Sequence, residues 1–228
     1  MRNILIIIKK QLKDTIKNKT ILIQFILFPI MTIIMENAIM LEGMPELFFT
    51  KLFSIMYIGM APITSVAAII SEEKEKNTLR VLMMANVRPW QYLMGVGIYV
   101  WAICMLGACV MATGLSADKI AFYMIMMGSG FIISIIAGAC IGIYAKNQMA
   151  ATSIVMPGMM ILAFAPMLAM FNEKIAKVAK ILYTEQFKEM LETMSFDGIV
   201  GQSVAIVIVN AVVLIALFEI AYQRKGLE

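Results

Sequence analysis

Residues 20–41, 51–71, 90–113, 120–143, 149–171 and 199–222 are each a long run of mostly apolar residues. A helix needs about 20 such residues to cross the roughly 30 Å hydrocarbon layer of a bilayer. Six runs of this kind leave few folds open. Of the 228 residues 61% are hydrophobic and 15% charged, against roughly 45–50% and about 25% in a soluble domain. No soluble core of this length hides so much apolar surface, because even a large fold leaves about a quarter of it in water. Open strands would leave backbone groups unpaired in lipid, and barrel strands would alternate polar with apolar residues. The sequence therefore predicts an all-α integral membrane protein with six transmembrane helices. Pro29, Pro62, Pro157 and Pro166 fall inside the spans, where membrane helices tolerate kinks.

An even number of spans puts both termini on one side, and basic residues choose which. That side holds Arg2, Lys9, Lys10, Lys13, Lys17, Lys19, Lys74, Lys76, Arg80, Arg88, Lys146, Arg224 and Lys225; the other holds Lys51, Lys119, Lys174, Lys177, Lys180 and Lys188. Both termini are thus expected in the cytosol of a cell-membrane protein. The first span is long enough to cross and no small-residue cleavage site ends it, so it is expected to act as a signal anchor. The formal charge of +4 comes with no basic run interleaved with aromatics, which argues against a nucleic-acid partner. Cys104, Cys109 and Cys140 sit in apolar stretches without CxxC spacing and read as small core residues.

Ahead of the first span, Ile4, Leu5, Ile8, Leu12 and Ile16 share one helical arc, and Arg2, Lys9, Lys10, Lys13 and Lys17 the next. Residues 1–19 are read as an interfacial amphipathic helix with its lysines at headgroups, or else as a topogenic basic tail. Span four carries Gly130, Ser134, Gly138 and Gly142 at every fourth position. Such a stripe packs helix on helix, either within the chain or against a second subunit. Between spans five and six, residues 172–198 are too charged to cross. Ile175, Val178 and Leu182 on one face, then Phe187, Met190, Leu191 and Met194 on another, predict two short external helices hinged near Tyr183–Glu185. They either cap an exit path or float at the outer interface.

The charged segment SEEKEKNTLRVL, Ser71 to Leu82, interrupts this apolar pattern after span two. Leu79, Leu82, Met83 and Val87 follow it at helical spacing, and Arg88-Pro89-Trp90 opens span three. Proline suits a first helical turn and disfavours helix in the residue before it, while Trp90 and Tyr92 would anchor the span at headgroup level. By position alone the segment is either a cytosolic docking elbow or a solvated loop.

Its residues are more specific. Glu73-Lys74-Glu75-Lys76-Asn77-Thr78-Leu79, then Leu82-Met83, Val87, Trp90 and Gly95, resembles the E-K-E-x-G-T-L element of ABC-2 type permeases, the membrane subunits of ATP-binding cassette exporters. Asn77 stands for the usual glycine, Ala85-Asn86 where threonine-proline is common, and Val96 for a frequent lysine. The layout matches along the whole chain: residues 1–19, a transmembrane domain over 20–228, a coupling element at 72–88 and an external loop at 172–198. The resemblance implies that Glu73, Lys74, Glu75, Thr78, Leu79, Leu82, Met83 and Val87 form a coupling helix on an ATPase subunit. It also implies two ATPase copies, which bind ATP and Mg, and a second permease subunit in a homodimer or heterodimer.

This chain has no G-x-x-x-x-G-K-[ST] phosphate loop and is expected to bind no cofactor or metal itself. It has no histidine and no HExxH, so catalysis within the membrane is not expected. Glu36, beside Asn37 near the outer end of span one, is a candidate for the substrate path or an ordinary interfacial carboxylate; Glu219 reads as neutralising local basic charge. The alternatives are an ion-gradient-driven transporter and a non-transporting immunity or scaffold protein. The 23 methionines suit adaptable apolar surfaces and point to a hydrophobic or amphipathic cargo such as a peptide, lipid or drug, although compositional drift explains them equally.

Overall fold

The computed structural model describes residues 2–39 and 45–225, and every regular element among them is helical. The helices are α1 (Arg2–Lys17), α2 (Lys19–Ala38), α3 (Phe48–Glu75), α4 (Thr78–Met84), α5 (Pro89–Met111), α6 (Ala117–Tyr144), α7 (Gln148–Met159), α8 (Ala165–Ala169), α9 (Glu173–Ala179), α10 (Tyr183–Thr193) and α11 (Gly201–Lys225). Among the described residues, six segments are long and apolar enough to cross a membrane. Residues 1, 40, 41 and 226–228, included in the expected terminal segments and span one, lie outside the described residues. Because the spans alternate in direction, α1, α4 and the end of α11 share one end of the bundle, here the terminal end.

Span five is α7, a π turn at Met160–Phe164, and α8. Pro166 follows the π turn and offers no N–H to the helical ladder, so the backbone widens by one residue to absorb the defect. The widened backbone rests on α3: a Cβ on Gly59 would stand 3.0 Å from Ala163 N and Cα. α3 is the hub of the fold, in contact with α2, α4, α5, α6, α7 and α10. The small-residue stripe of α6 packs on this hub. Cβ atoms on Gly130, Gly138 and Gly142 would meet Ile58, the Ile63 carbonyl and Ile70 at 2.8, 2.7 and 2.8 Å.

Two proline kinks are sealed by hydroxyl groups. Pro62 cannot donate to the Ile58 carbonyl, and Ser134 Oγ donates to it at 2.7 Å. Pro29 likewise leaves the Phe25 carbonyl, to which Tyr57 OH donates at 3.1 Å. Each freed acceptor inside an apolar bundle would otherwise go unsatisfied, which is the costly case.

The segment between spans five and six differs in part from expectation. The break falls at Lys180–Leu182, and Tyr183 opens α10. Phe187, Met190, Leu191 and Met194 are buried as their spacing predicts, but Val178 is exposed and Ala179 is the buried residue of α9. α10 does not float. It packs on α3, α6 and α11, with Tyr183 OH 2.9 Å from Ser134 Oγ and the Glu192 carbonyl accepting from Lys51 at 3.2 Å. The preceding turn is tied to α11, where Asn210 Nδ2 donates to Ile181 O at 2.9 Å. Lys188 Nζ bonds Glu185 at 2.6 Å and the Pro166 carbonyl at 3.2 Å.

Candidate functional site

At the terminal end the charged segment is not a loop. Glu72 to Glu75 are the last turn of α3, and their side chains reach three other elements. Glu73 is 6% exposed; its Oε1 accepts from Lys10 Nζ at 2.5 Å and from Gln11 Nε2 on α1. Lys74 Nζ donates to Ile143 O at the end of α6 at 2.8 Å. Glu75 Oε2 accepts from the Gln148 N–H that opens α7 at 2.9 Å, where a carboxylate also meets the positive end of the helix dipole. Glu72 holds Lys76 at 2.5 Å along the surface. One charged turn thus ties the hub to α1, α6 and α7.

α1 sits differently from its sequence arc. Leu5, Leu12 and Ile16 are exposed, whereas Ile7, Gln11 and Thr15 form the buried stripe. Gln11 lies inside because Glu73 satisfies it, and Ile7 because Gly95 makes room: a Cβ there would meet Ile7 Cγ2 at 2.7 Å. Asn3 Nδ2 adds a bond of 3.0 Å to Gln91, whose Oε1 also accepts the Arg88 N–H at 3.1 Å. Tyr92, expected at headgroup level, is fully buried instead. Its OH and Glu73 Oε2 are both buried without a hydrogen-bond partner among the described residues.

α4 is set between two left-handed residues, Asn77 (φ 55°) and Asn86 (φ 64°). This explains why asparagine can stand where the resembling element has glycine: the backbone there needs positive φ, and asparagine tolerates it better than other residues with a Cβ. The far end is a Schellman closure, with Asn86 N bonded to Met83 O at 3.0 Å and Val87 N to Leu82 O at 3.1 Å. Thr78 Oγ1 donates to Glu73 O at 3.2 Å. Leu79 is buried and Leu82, Met83 and Val87 are half-buried against the core, so the apolar positions read from the sequence are those that seat α4 on the body. Its outward face is Arg80, Val81 and Met84, the last two 58% and 73% exposed. Sequence reasoning passed over these three, although they lie opposite Leu79 and Leu82 on a helical wheel.

A second feature is a cleft of about 250 Å3 between α2, α3 and α7. Met60, Met156 and Met159 line it together with Gln24, Thr64 and Thr152; Gln24 Oε1 accepts from Thr64 Oγ1 at 2.9 Å. The signal that could have found it is a glutamine inside an apolar span. Glu36 and Asn37 are not part of it. Glu36 Oε2 accepts the Thr50 N–H at 2.8 Å and its hydroxyl at 3.1 Å, capping α3, and Asn37 bonds Ile33 O in its own helix at 2.7 Å.

The chain is thus a polytopic helical bundle with a short helix presented at its terminal end and an apolar cleft between its spans. Residues 2–219 match the family described as ABC-2 family transporter protein. The chain belongs to that family and is the membrane permease component of an ABC transporter, which implies an ABC ATPase as partner. No match is found among curated proteins.

Proposed function

We propose that the chain is the permease of an exporter for hydrophobic or amphipathic substrates, working in the cell membrane with its terminal end in the cytosol. A separate ATPase, present in two copies, holds ATP and Mg and docks on α4. The observation that carries this reading is the division of α4: one face seated on the core, the other presenting Arg80, Val81 and Met84 outward. A push on that face reaches the end of α3 through Asn77, and from there α1, α6 and α7 through Glu73, Lys74 and Glu75.

The cleft beside α3 is the proposed substrate path, because its methionines adapt to varied apolar shapes and Gln24 and Thr64 supply polar contacts. α7 presents Thr152, Ser153, Met156 and Pro157 on its exposed face, and Pro157 cannot donate to the Ser153 carbonyl. A backbone acceptor loosened in this way fits a protein or water boundary better than lipid, so a second permease copy is placed across α2 and α7. Transport then requires that the substrate bind differently before and after the ATPase closes.

Co-expression of the tagged chain with phosphate-loop ABC ATPases from the same genome tests the reading. The ATPase is expected to co-purify with the wild type and to be lost from V81D/M84D, while membrane insertion is unchanged. Retention of the ATPase by that variant would overturn the docking face. For orientation, K76C in a cysteine-free background is expected to react with an impermeant maleimide only after the cells are opened; labelling of intact cells would reverse it.

A further inference from the structure

Between α4, the first turn of α5 and the end of α11 lies an open cleft of about 1130 Å3. Leu79, Met83, Val87 and Tyr222 give it an apolar lining, Lys74, Arg80, Arg88 and Arg224 also line it, and among the described residues no Asp or Glu does. Among the described residues none of these arginines is ion-paired. The carboxylates of the neighbouring turn are turned elsewhere: Glu72 to Lys76, Glu73 to α1 and Glu75 to Gln148. Three guanidinium groups around an apolar trough call for an anion with an apolar body, and the guanidinium fork matches phosphate.

Position selects the source of that anion. α11 has 6% of its most apolar window buried, the lowest share of the six spans, so one wall of the cleft belongs to a helix facing lipid. Trp90, 52% exposed, follows Pro89 at the same level, and indole rings settle among headgroups. We infer that this cleft binds an anionic phospholipid of the leaflet at the terminal end, its phosphate on Arg80, Arg88 and Arg224 and its glycerol and first methylenes along Leu79, Met83, Val87 and Tyr222. The lipid bridges α4 and α11, which both line the cleft. Arg80 and Met84 of the outward face also line the cleft and Val81 does not, so the lipid and the protein proposed to dock on α4 meet along Arg80 and Met84. The inference rests on the chain's place in a membrane and not on the identity of its ATPase.

The test is native mass spectrometry of the purified full-length chain, titrated with phosphatidylglycerol and with phosphatidylcholine of the same acyl chains. The wild type is expected to retain one phosphatidylglycerol at least tenfold more tightly than phosphatidylcholine, and R80Q/R88Q/R224Q to lose that preference. K9Q/K13Q/K17Q, which alters the exposed lysines of α1, is expected to keep it. If the triple arginine variant does not fold, R88Q and R224Q singly are each expected to weaken retention about threefold. No preference in the wild type overturns the site, as does its loss in the α1 variant instead. Unchanged lipid retention in the arginine variants, with loss of ATPase capture, would assign the cleft to the protein partner and also overturn it.

Discussion

α3 and α11 both read as plain apolar spans, yet 78% of the most apolar window of α3 is buried within the protein and 6% of that of α11. What separates them is carried by residues to which hydropathy gives little weight. α3 offers Gly59, Ser54, Tyr57 and the Pro62 kink, and it faces the glycines of α6. α11 runs Val-Ala-Ile-Val-Ile-Val-Asn-Ala-Val-Val-Leu-Ile through its middle, with Asn210 as its polar tie to the α9–α10 turn. In lipid an apolar side chain gains little by leaving the solvent, so small residues and hydrogen bonds decide which helix becomes the centre.

The hardest blow to this contrast is a large residue in the α3–α6 seam. G138L puts a Cβ 2.7 Å from the Ile63 carbonyl oxygen, a backbone atom that no rotamer change can move aside. A loss of more than about 3 kcal/mol is expected, roughly 10 °C in Tm, while V212L on α11 stays within about 0.5 kcal/mol. Thermal unfolding in detergent checks both, and equal effects would erase the distinction between hub and periphery.

Next in size is a pair of glutamates. E73A strips the acceptor from Lys10 and Gln11 and should cost about 2 kcal/mol. E219A on α11 removes an exposed contact to Gln223 and should cost less than about 0.5 kcal/mol. Hydrogen exchange of the α1 amides sharpens the reading: E73A is expected to speed it at least tenfold, and unchanged exchange would mean that lipid and not Glu73 holds α1.

S134A leaves the Ile58 carbonyl freed by Pro62 without its donor. Intramembrane hydrogen bonds average about 0.6 and reach about 1.7 kcal/mol, and this one belongs at the upper end because the proline provides no substitute. A value near zero would show that the kink satisfies itself. The smallest effect concerns Glu185 on α10. Burial pushes its carboxyl above the ordinary value, with the Lys188 hydrogen bond pulling the other way. The native state then keeps a proton that the unfolded chain has released, so stability falls as pH rises from the ordinary carboxylate range through the raised value. E185Q should flatten that part of a Tm-against-pH curve, and an unaltered slope would assign it to other carboxylates.

Much of the fold was legible along the chain because a span is a local property: length and apolarity locate all six helices to within a few residues. The helix α4 was legible too, since Leu79, Leu82 and Val87 repeat at helical spacing; that this face turns to the body of the protein was not. The side of α1 that turns inward was not. Gln11 and Thr15 look like solvent residues until Glu73 and α5 are in place, and Tyr92 looks interfacial for the same reason. The cleft between α2, α3 and α7 was missed because Gln24, Thr64 and Thr152 lie on three different helices, and no spacing within one helix brings them together.

By itself, the sequence determined that this chain lives in a membrane, where its helices begin and end, and which family its charged segment resembles. Each of those follows from the composition of one stretch of chain meeting one solvent. Only the tertiary structure decided that α3 is central and α11 peripheral, that Glu73 is a buried tie, and that Ser134 and Tyr57 close the gaps left by Pro62 and Pro29. Those outcomes depend on which backbone acceptor lies within about 3 Å of which donor, and that distance is set by helices far apart in sequence.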